Sequence, residues 1–546
     1  MIRHIKYILP VAALLVASCQ VTDLQPQTAF SETTAFQTPE RIELAVAGVY
    51  DGAQSGIYAG GQVRGYTFGA AHLQQGDVRG EDMVSVAGFY GITYLSTYDA
   101  TTPNNGFYWQ STYRMINRAN VVLAGLETVQ PSAALSQANI DAYKAECRFL
   151  RAMGHHYLLV NFARPFGDNP NTNLGVPYRT TPVTGGPSVD QAVQQPRNTV
   201  ADCYNQILAD LDYAEANLPT TPRLRPGTAN AISTLTRATR GAAIALKTRV
   251  RLHQGNWAAV ITEGNKLVPA SGNLVSPVGG YQLTASPLGA FGAANKNNAE
   301  SIFSIENNDV DNAGVNGAPA SMYTAASANG RGIIAISPIL WNQPFFPATD
   351  LRKSTTVAVQ ADGPTAAGRG GFFTRKYPDV TNRTENAPII RYAEVLLNVA
   401  EALARTTPND PRALRLLSAV RNRANTDVAN QYTAASFATG NDLVRAIINE
   451  RRPEFIAEGM RWLDIHRLAT DATFKQANGI PYKADNAIAN FAPLYTNNPA
   501  TPITLYPNPA RPQDEIVYSD RRFVWPIPQE ELVNNPVLAK QQNPGY

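Results

Sequence analysis

The sequence predicts a mainly α-helical protein, a helical scaffold carrying long irregular loops and a few short strands. Three observations lead there. Apolar residues recur at steps of three and four through most of the patterned segments, the period of a helix with one buried face. Between them lie stretches rich in Gly, Pro, Asn and Thr, chiefly 52–106, 165–196, 270–387 and 471–526. These far exceed the usual connections of a compact domain and mark functional excursions or disorder. Strand-like runs inside them are short, such as Ser301-Ile302-Phe303-Ser304-Ile305.

The elements follow in order. Thr38-Pro39-Glu40 reads as an N-cap followed by proline at the first helical position, opening a helix over 38–52. A second pattern covers 107–128. From Gln137 to Phe162, the residues Ile140, Tyr143, Cys147, Leu150, Gly154 and Tyr157 line one face. Phe149, Ala152, His156 and Leu159 extend it, so this helix is buried broadly. From Thr199, the set Val200, Tyr204, Ile207, Leu211, Ala214 and Leu218 repeats the alternation until Pro219 stops it. Further helices are expected over 230–254, 256–268, 389–405, 411–424 and 441–469. Ala245, Leu252, Gly255 and Trp257 loosely match a tetratricopeptide unit, but no clean period of about 34 residues runs through the chain.

Composition excludes more than it selects. The 546 residues would suit three or four domains by length alone. The hydrophobic share of 44% supports a sizeable core. A net charge of +3 on 46 basic and 43 acidic residues is too weak and too mixed for a nucleic-acid binder. Three cysteines cannot build a disulfide framework or a four-thiolate zinc site. No cofactor is implied. Asp309-Val310-Asp311-Asn312 faintly suggests a calcium loop, but Ala313 and Ala320 stand where oxygen ligands are needed. A calcium ion elsewhere is left open.

The N-terminus carries Arg3 and Lys6 before an apolar run from Tyr7 to Ala17, too short to span a membrane. A signal peptide over 1–18 is the expected reading. The run ends Leu15-Val16-Ala17-Ser18-Cys19, which resembles the lipobox of bacterial lipoproteins. That resemblance implies cleavage before Cys19, acylation of its thiol and anchoring in the outer membrane, facing the cell exterior. Asp23 adds weak support for surface export. Losing Arg3 and Lys6 leaves the mature chain close to neutral, which suits an uncharged, hydroxyl-rich ligand. Cys147 and Cys203, both in helical patterns, read as buried hydrophobes, with a bridge left open.

Several strings together resemble the SusD/RagB family of nutrient-binding lipoproteins. They are Trp109-Gln110-Ser111-Thr112-Tyr113-Arg114-Met115-Ile116 with Ala119-Asn120, and Glu146-Cys147-Arg148-Phe149-Leu150-Arg151-Ala152 running to Phe166-Gly167-Asp168-Asn169-Pro170. Ile389-Ile390-Arg391-Tyr392-Ala393-Glu394 follows, then Glu450-Arg451-Arg452-Pro453-Glu454 through Asp464, Trp525-Pro526-Ile527-Pro528, and the ending Asn543-Pro544-Gly545-Tyr546. Each string is weak alone, but their order spans nearly the whole mature chain. The resemblance implies one SusD-like domain over 19–546. Four tetratricopeptide-like helix pairs would form the scaffold, from about 38–52, 107–268 and 389–469. A loop-rich cap would come from about 53–106, 270–387 and 471–526. It also implies a non-catalytic protein that captures an oligosaccharide, or in some members a peptide, and passes it to a SusC-like TonB-dependent transporter. Pro453 departs from the family's charged helix and predicts a kink at 449–453 or a new helix start.

Two rivals remain at this stage, a surface glycoside hydrolase and a helical-repeat protein-binding scaffold. Glu450, Glu454, Glu458 and Asp464 invite the first. Their interleaving with Arg451, Arg452 and Arg461 instead favours ion pairs three and four residues apart. His155 and His156 are adjacent and cannot chelate one ion together, and no metal or nucleophile motif occurs. Aromatic residues in the loops are the better lead, since flat rings stack on sugars while nearby polar groups bond hydroxyls. Tyr66, Phe89, Tyr90, Tyr94 and Tyr98 crowd the first excursion, and Tyr323, Trp341, Phe345 and Phe346 the third. The candidate contacts are Tyr90, Tyr94, Tyr98, Tyr323 and Trp341, with Asp77, Arg79 and Asn104 as polar partners.

Overall fold

The computed structural model describes residues 34–221, 233, 235–475, 477–498 and 515–546. The signal segment and Cys19 lie outside the described residues. Helix accounts for 47% and strand for 6%, so the predicted class holds. The main helices are α1 (Pro39–Ser55), α2 (Ala70–Val78), α3 (Pro103–Leu126), α4 (Gln137–Phe162), α5 (Val200–Asn217) and α6 (Arg240–His253). They continue as α7 (Trp257–Gly264), α8 (Tyr392–Thr406), α9 (Pro411–Asn422), α10 (Gly440–Glu454) and α11 (Arg461–Leu468).

The capping chemistry sets their starts. Thr38 Oγ1 accepts from Arg41 N at 3.3 Å, and Thr199 Oγ1 from Asp202 N at 3.1 Å. Gly255 at φ +66° makes the turn between α6 and α7, where the tetratricopeptide-like string fell. The scaffold packs in succession: α1 on α3, α3 on α4, α4 on α5, α5 on α6 and α6 on α7. The helices α7, α9 and α10 then gather around α8. One core cluster runs from Ile42 to Ile527, so the three or four domains suggested by length do not have separate cores.

Strands are short and antiparallel. β1 (Met83–Ser85) pairs β3 (Ile334–Ile336), with Met83 opposite Ile336. β2 (Ser301–Ile305) pairs β6 (Ala387–Arg391), which leads directly into α8. β4 (Val359–Ala361) pairs β5 (Phe372–Thr374), and β7 (Gly479–Ile480) pairs β8 (Ile516–Val517).

Three sequence expectations change. First, α2 lies inside a stretch read as loop. Ala70, Ala71, His72, Leu73, Gln74, Gln75, Asp77 and Val78 are all buried, so the helix has no polar face and no legible period. Its close approach to the turn after α10 requires Gly76, where an added Cβ would stand 2.3 Å from the Gly459 carbonyl oxygen. Second, Pro453 neither kinks a helix nor starts one. It sits in the last turn of α10, which ends at Glu454. The bond lost to its missing N–H falls at a terminus, where proline is tolerated.

Third, the charged residues of this segment pair across the fold rather than along the helix. Glu450 meets Arg421 and Arg352, each at 2.8 Å. Glu454 meets Arg391 at 3.0 Å and Arg352 at 3.2 Å, and also Arg423. Glu458 meets Arg391 at 2.8 Å and Lys376 at 2.5 Å. Arg451 reaches Asp464 at 2.8 Å, and Arg461 reaches Glu81 at 2.6 Å. Cys147 and Cys203 are both free and buried, so no bridge joins them. Burial pushes the Cys203 thiol up to about 12 and Cys147 higher still.

Candidate ligand-binding site

Where the loops following α1 and β1 meet the start of α3, aromatic rings reach the surface together. Residues after α1 form a small hairpin: Ile57 bridges Val63, and Tyr58 N donates to the Gln62 carbonyl at 2.7 Å. Gly60 and Gly61, at φ +69° and +77°, allow that tight turn. It lays the Arg64 guanidinium 3.7 Å from the Tyr58 ring centroid. Phe107, in the first turns of α3, sits 4.7 Å from Tyr58 centroid to centroid. Phe89 projects from the single turn Gly88–Tyr90. Two guanidiniums approach its ring, Arg64 at 5.1 Å and Arg331 at 4.5 Å. Arg331 is held by its backbone N donating to the Ser321 carbonyl at 2.8 Å, and its side chain donates to Asn316. Tyr58, Arg64, Phe89, Phe107 and Asn316 are half-buried, and Arg331 is exposed. This face offers rings with accessible area, amide oxygen and cationic donors side by side.

The eight residues expected to touch ligand lie beneath or away from this face, all of them buried. Tyr90, Tyr94, Tyr98 and Tyr323 are at most 2% exposed, and Trp341 is 4% exposed. Tyr94 Oη donates to the Ala484 carbonyl at 2.5 Å, and Tyr98 Oη donates to the Arg522 carbonyl. Trp341 stacks on Phe372 at 4.3 Å. Tyr323 Oη donates to Asp77 Oδ2 at 2.6 Å, while Gly459 N donates to Asp77 Oδ1 at 2.9 Å. Burial outweighs those two donors and raises Asp77 to about 8. Arg79 lies 3.5 Å from the Trp462 ring and bonds Asn161 and the Phe523 carbonyl. Burial lowers Arg79 to about 10. Asn104 accepts from Tyr66 Oη at 2.8 Å and donates to the Phe89 carbonyl at 3.3 Å, so it fixes the Phe89 turn from below.

The physical reason is shared. Each ring is buried against the scaffold and anchors its loop there; Tyr94 and Tyr98 satisfy the hydroxyl on a backbone carbonyl and Tyr323 on Asp77, while Tyr90 and Trp341 are held by ring burial. Sequence reasoning noted Phe89 but passed over Tyr58, Arg64, Phe107 and Arg331. The available signal was aromatic and arginine residues beside glycine turns, at Tyr58-Ala59-Gly60-Gly61 and Gly88-Phe89.

Other features suit a ligand less well. A groove of about 480 Å³ includes Gln110, Asn117, Val183, Val189 and Arg179 in its walls. Within it Arg179 is already paired with Glu531 at 3.1 Å, and Asn117 is spent on both backbone groups of Val183. The acidic residues of the α10 region are saturated by arginine. Burial alone would raise Glu454, but Arg423, Arg391 and Arg352 hold it well below the usual carboxylate range, which suits no general acid. Among the described residues no group of three or more His, Cys, Asp or Glu side chains could hold a metal ion.

Comparison with known proteins agrees with the fold. Residues 350–546 match the model of the SusD family, and residues 24–252 match one described as starch-binding and associating with the outer membrane. The SusD-like protein P2 of Formosa agariphila is 25% identical over 473 residues, covering 80% of each chain. A SusD superfamily protein from Bacteroides fragilis is 27% identical, with a TM-score of 0.69 over 92% of this chain and 99% of that one. Surface glycan-binding protein A from Bacteroides uniformis shares the fold at 20% identity, with a TM-score of 0.66 over 93% of this chain and 99% of that one. With family models matching both parts of the chain and solved relatives sharing its fold, the chain belongs to the SusD family, whose members bind ligands and are not enzymes.

Proposed function

We propose that this protein is a surface lipoprotein, anchored through an acylated Cys19. It captures an oligosaccharide and delivers it to a SusC-like TonB-dependent transporter in the outer membrane. The observation that carries the reading is the face built by Tyr58, Phe89 and Phe107, whose half-buried rings stand beside Arg64, Arg331 and Asn316. Rings of this kind stack on the apolar faces of sugars, and the amide and guanidinium groups bond hydroxyls. The family match and the outer-membrane description of the matched model support the same reading. No covalent step is involved. The mechanism is capture on this face, closure against the transporter and handover. Tyr90, Tyr94, Tyr98, Tyr323, Trp341, Asp77, Arg79 and Asn104 serve it from within, by holding the ligand-bearing loops in place.

The test is a native extract of the outer membrane, purified through a tag on this chain. A transporter barrel is expected to copurify, and a glycan array is expected to show oligosaccharide binding. A preparation that never carries a barrel and binds only other proteins would instead support a protein-binding scaffold.

A further inference from the structure

The near-neutral mature sequence suits an uncharged ligand, but the candidate face is not neutral. Arg64 and Arg331 both lie over Phe89. The hydrogen bonds of their side chains include amide acceptors, Gln62 Oε1 for Arg64 at 3.3 Å and Asn316 Oδ1 for Arg331. Among the described residues neither arginine forms an ion pair. The buried arginines packed around α10 differ: Arg352, Arg391, Arg421, Arg423, Arg451 and Arg467 are all matched to carboxylates. Arg64 is also partly withdrawn from water, its Nε buried without a partner. A half-buried guanidinium over two rings, with a second exposed one on the far ring, is a focused positive field on an aromatic platform.

Resting on the reading of this face as the ligand site, we infer that the ligand is an anionic glycan, with a carboxylate or sulfate group placed between Arg64 and Arg331. Guanidinium matches both anions through paired N–H donors, and the rings take the sugar face beside the charged group. Neutral oligosaccharides keep the stacking and the weaker bonds to hydroxyls, and lose the stronger bonds to an anion.

The test uses the purified mature chain on an array of neutral oligosaccharides (maltose, xylan and laminarin series), uronates (galacturonan and alginate series) and sulfated ones (carrageenan series), with a hexaglutamate peptide as control. The tightest binder is expected to be acidic. Carboxyl reduction or desulfation of that binder, followed by calorimetry, identifies which anion is read and is expected to weaken binding roughly tenfold or more. Arg331→Gln, at an exposed position, is expected to weaken the acidic binder by a similar factor and neutral ones by much less, with Arg331→Lys recovering part of the loss on the acidic binder. Binding should also fall as salt rises, because the exposed charge is screened. A neutral best binder, an Arg331→Gln effect equal on acidic and neutral glycans, binding of hexaglutamate alone, or no binding across the array would each overturn the inference. The first two leave glycan capture intact, while loss of transporter copurification would strike the proposed function itself.

Discussion

Phe89 is half-buried at the rim of its turn, so its ring can be removed without opening the core. Phe89→Ala is expected to weaken oligosaccharide binding by about 1–1.5 kcal/mol, roughly tenfold, with no shift in thermal unfolding. Calorimetry beside a melting curve checks both, and unchanged affinity would remove this face as the site. Glu454 behaves oppositely. Glu454→Gln leaves Arg391, Arg352 and Arg423 underpaired in the interior and is expected to cost ~3–5 kcal/mol in denaturant unfolding. Histidines set a pH dependence. His72, His155, His156 and His466 are held at about 3 and His253 well below its ordinary value, in each case chiefly by burial. Their folded values lie below the unfolded one, so the stability they contribute is fully present above about pH 6.5 and is lost as pH falls toward 3. Glu81 acts in a lower window. Burial alone would raise it, but Arg461 and Arg452 hold it at about 2, so its contribution is lost between about pH 4.5 and 2. Five buried histidines outweigh the opposite contribution of Asp77 in this window, so the melting temperature is expected to start falling below about pH 6.5, before the arginine-paired Glu81 titrates. A flat profile from pH 7 to 5 would show that these histidines are not buried neutral. Asp77, raised to about 8, has the other sign, its stabilisation being lost as pH rises from about 4 toward 8.

Among the elements, α2 ties distant segments together. Its last turn places Asp77 against Tyr323 and the Gly459 amide, and its middle touches the turn after α10. Gly76→Ala forces a methyl into the Gly459 carbonyl and is expected to destabilise the fold by ~1–3 kcal/mol, more than a helix-propensity gain returns. Equilibrium unfolding measures it; a stabilised variant would mean that α2 can move away. The elements that read well from sequence have one wet face, such as α1, α5 and α9, or a sharp cap. Of the eleven main helices, the one missed, α2, is surrounded by protein and mixes His72, Gln74, Gln75 and Asp77 with small apolar residues, which erases the period. The same limit applies to loop aromatics. A tyrosine in a Gly-rich loop carries no mark of which side of the loop it leaves from, so Tyr90 and Phe89, adjacent in sequence, divide between interior and surface.

At the scale of the molecule, one core joins segments that lie hundreds of residues apart. Arg79 bonds the Phe523 carbonyl, Tyr94 the Ala484 carbonyl and Arg452 the Asp82 carboxylate. These loop segments are thus tied into the helical core, and trimming residues 477–498 is expected to lower the stability of the helices as well. The proposed anchor predicts a localisation. Cys19→Ser is expected to move the protein from the outer-membrane fraction to the soluble one while leaving glycan affinity in place, and fractionation with calorimetry on both forms checks this.

The sequence by itself determined the helical class, the boundaries of α4 and α5, the pairing arginines as a group, and the family through an ordered set of strings. Those properties are local periods, caps and spacings, and local chemistry is what a sequence displays. Tertiary structure decided which carboxylate meets which arginine, that Cys147 and Cys203 stay unbridged, and which aromatics reach the surface. Each of these depends on the direction a side chain takes when distant segments close on one core. That is why Tyr90, Tyr323 and Trp341 lie buried, while Tyr58 and Phe89 reach the surface beside Arg64 and Arg331.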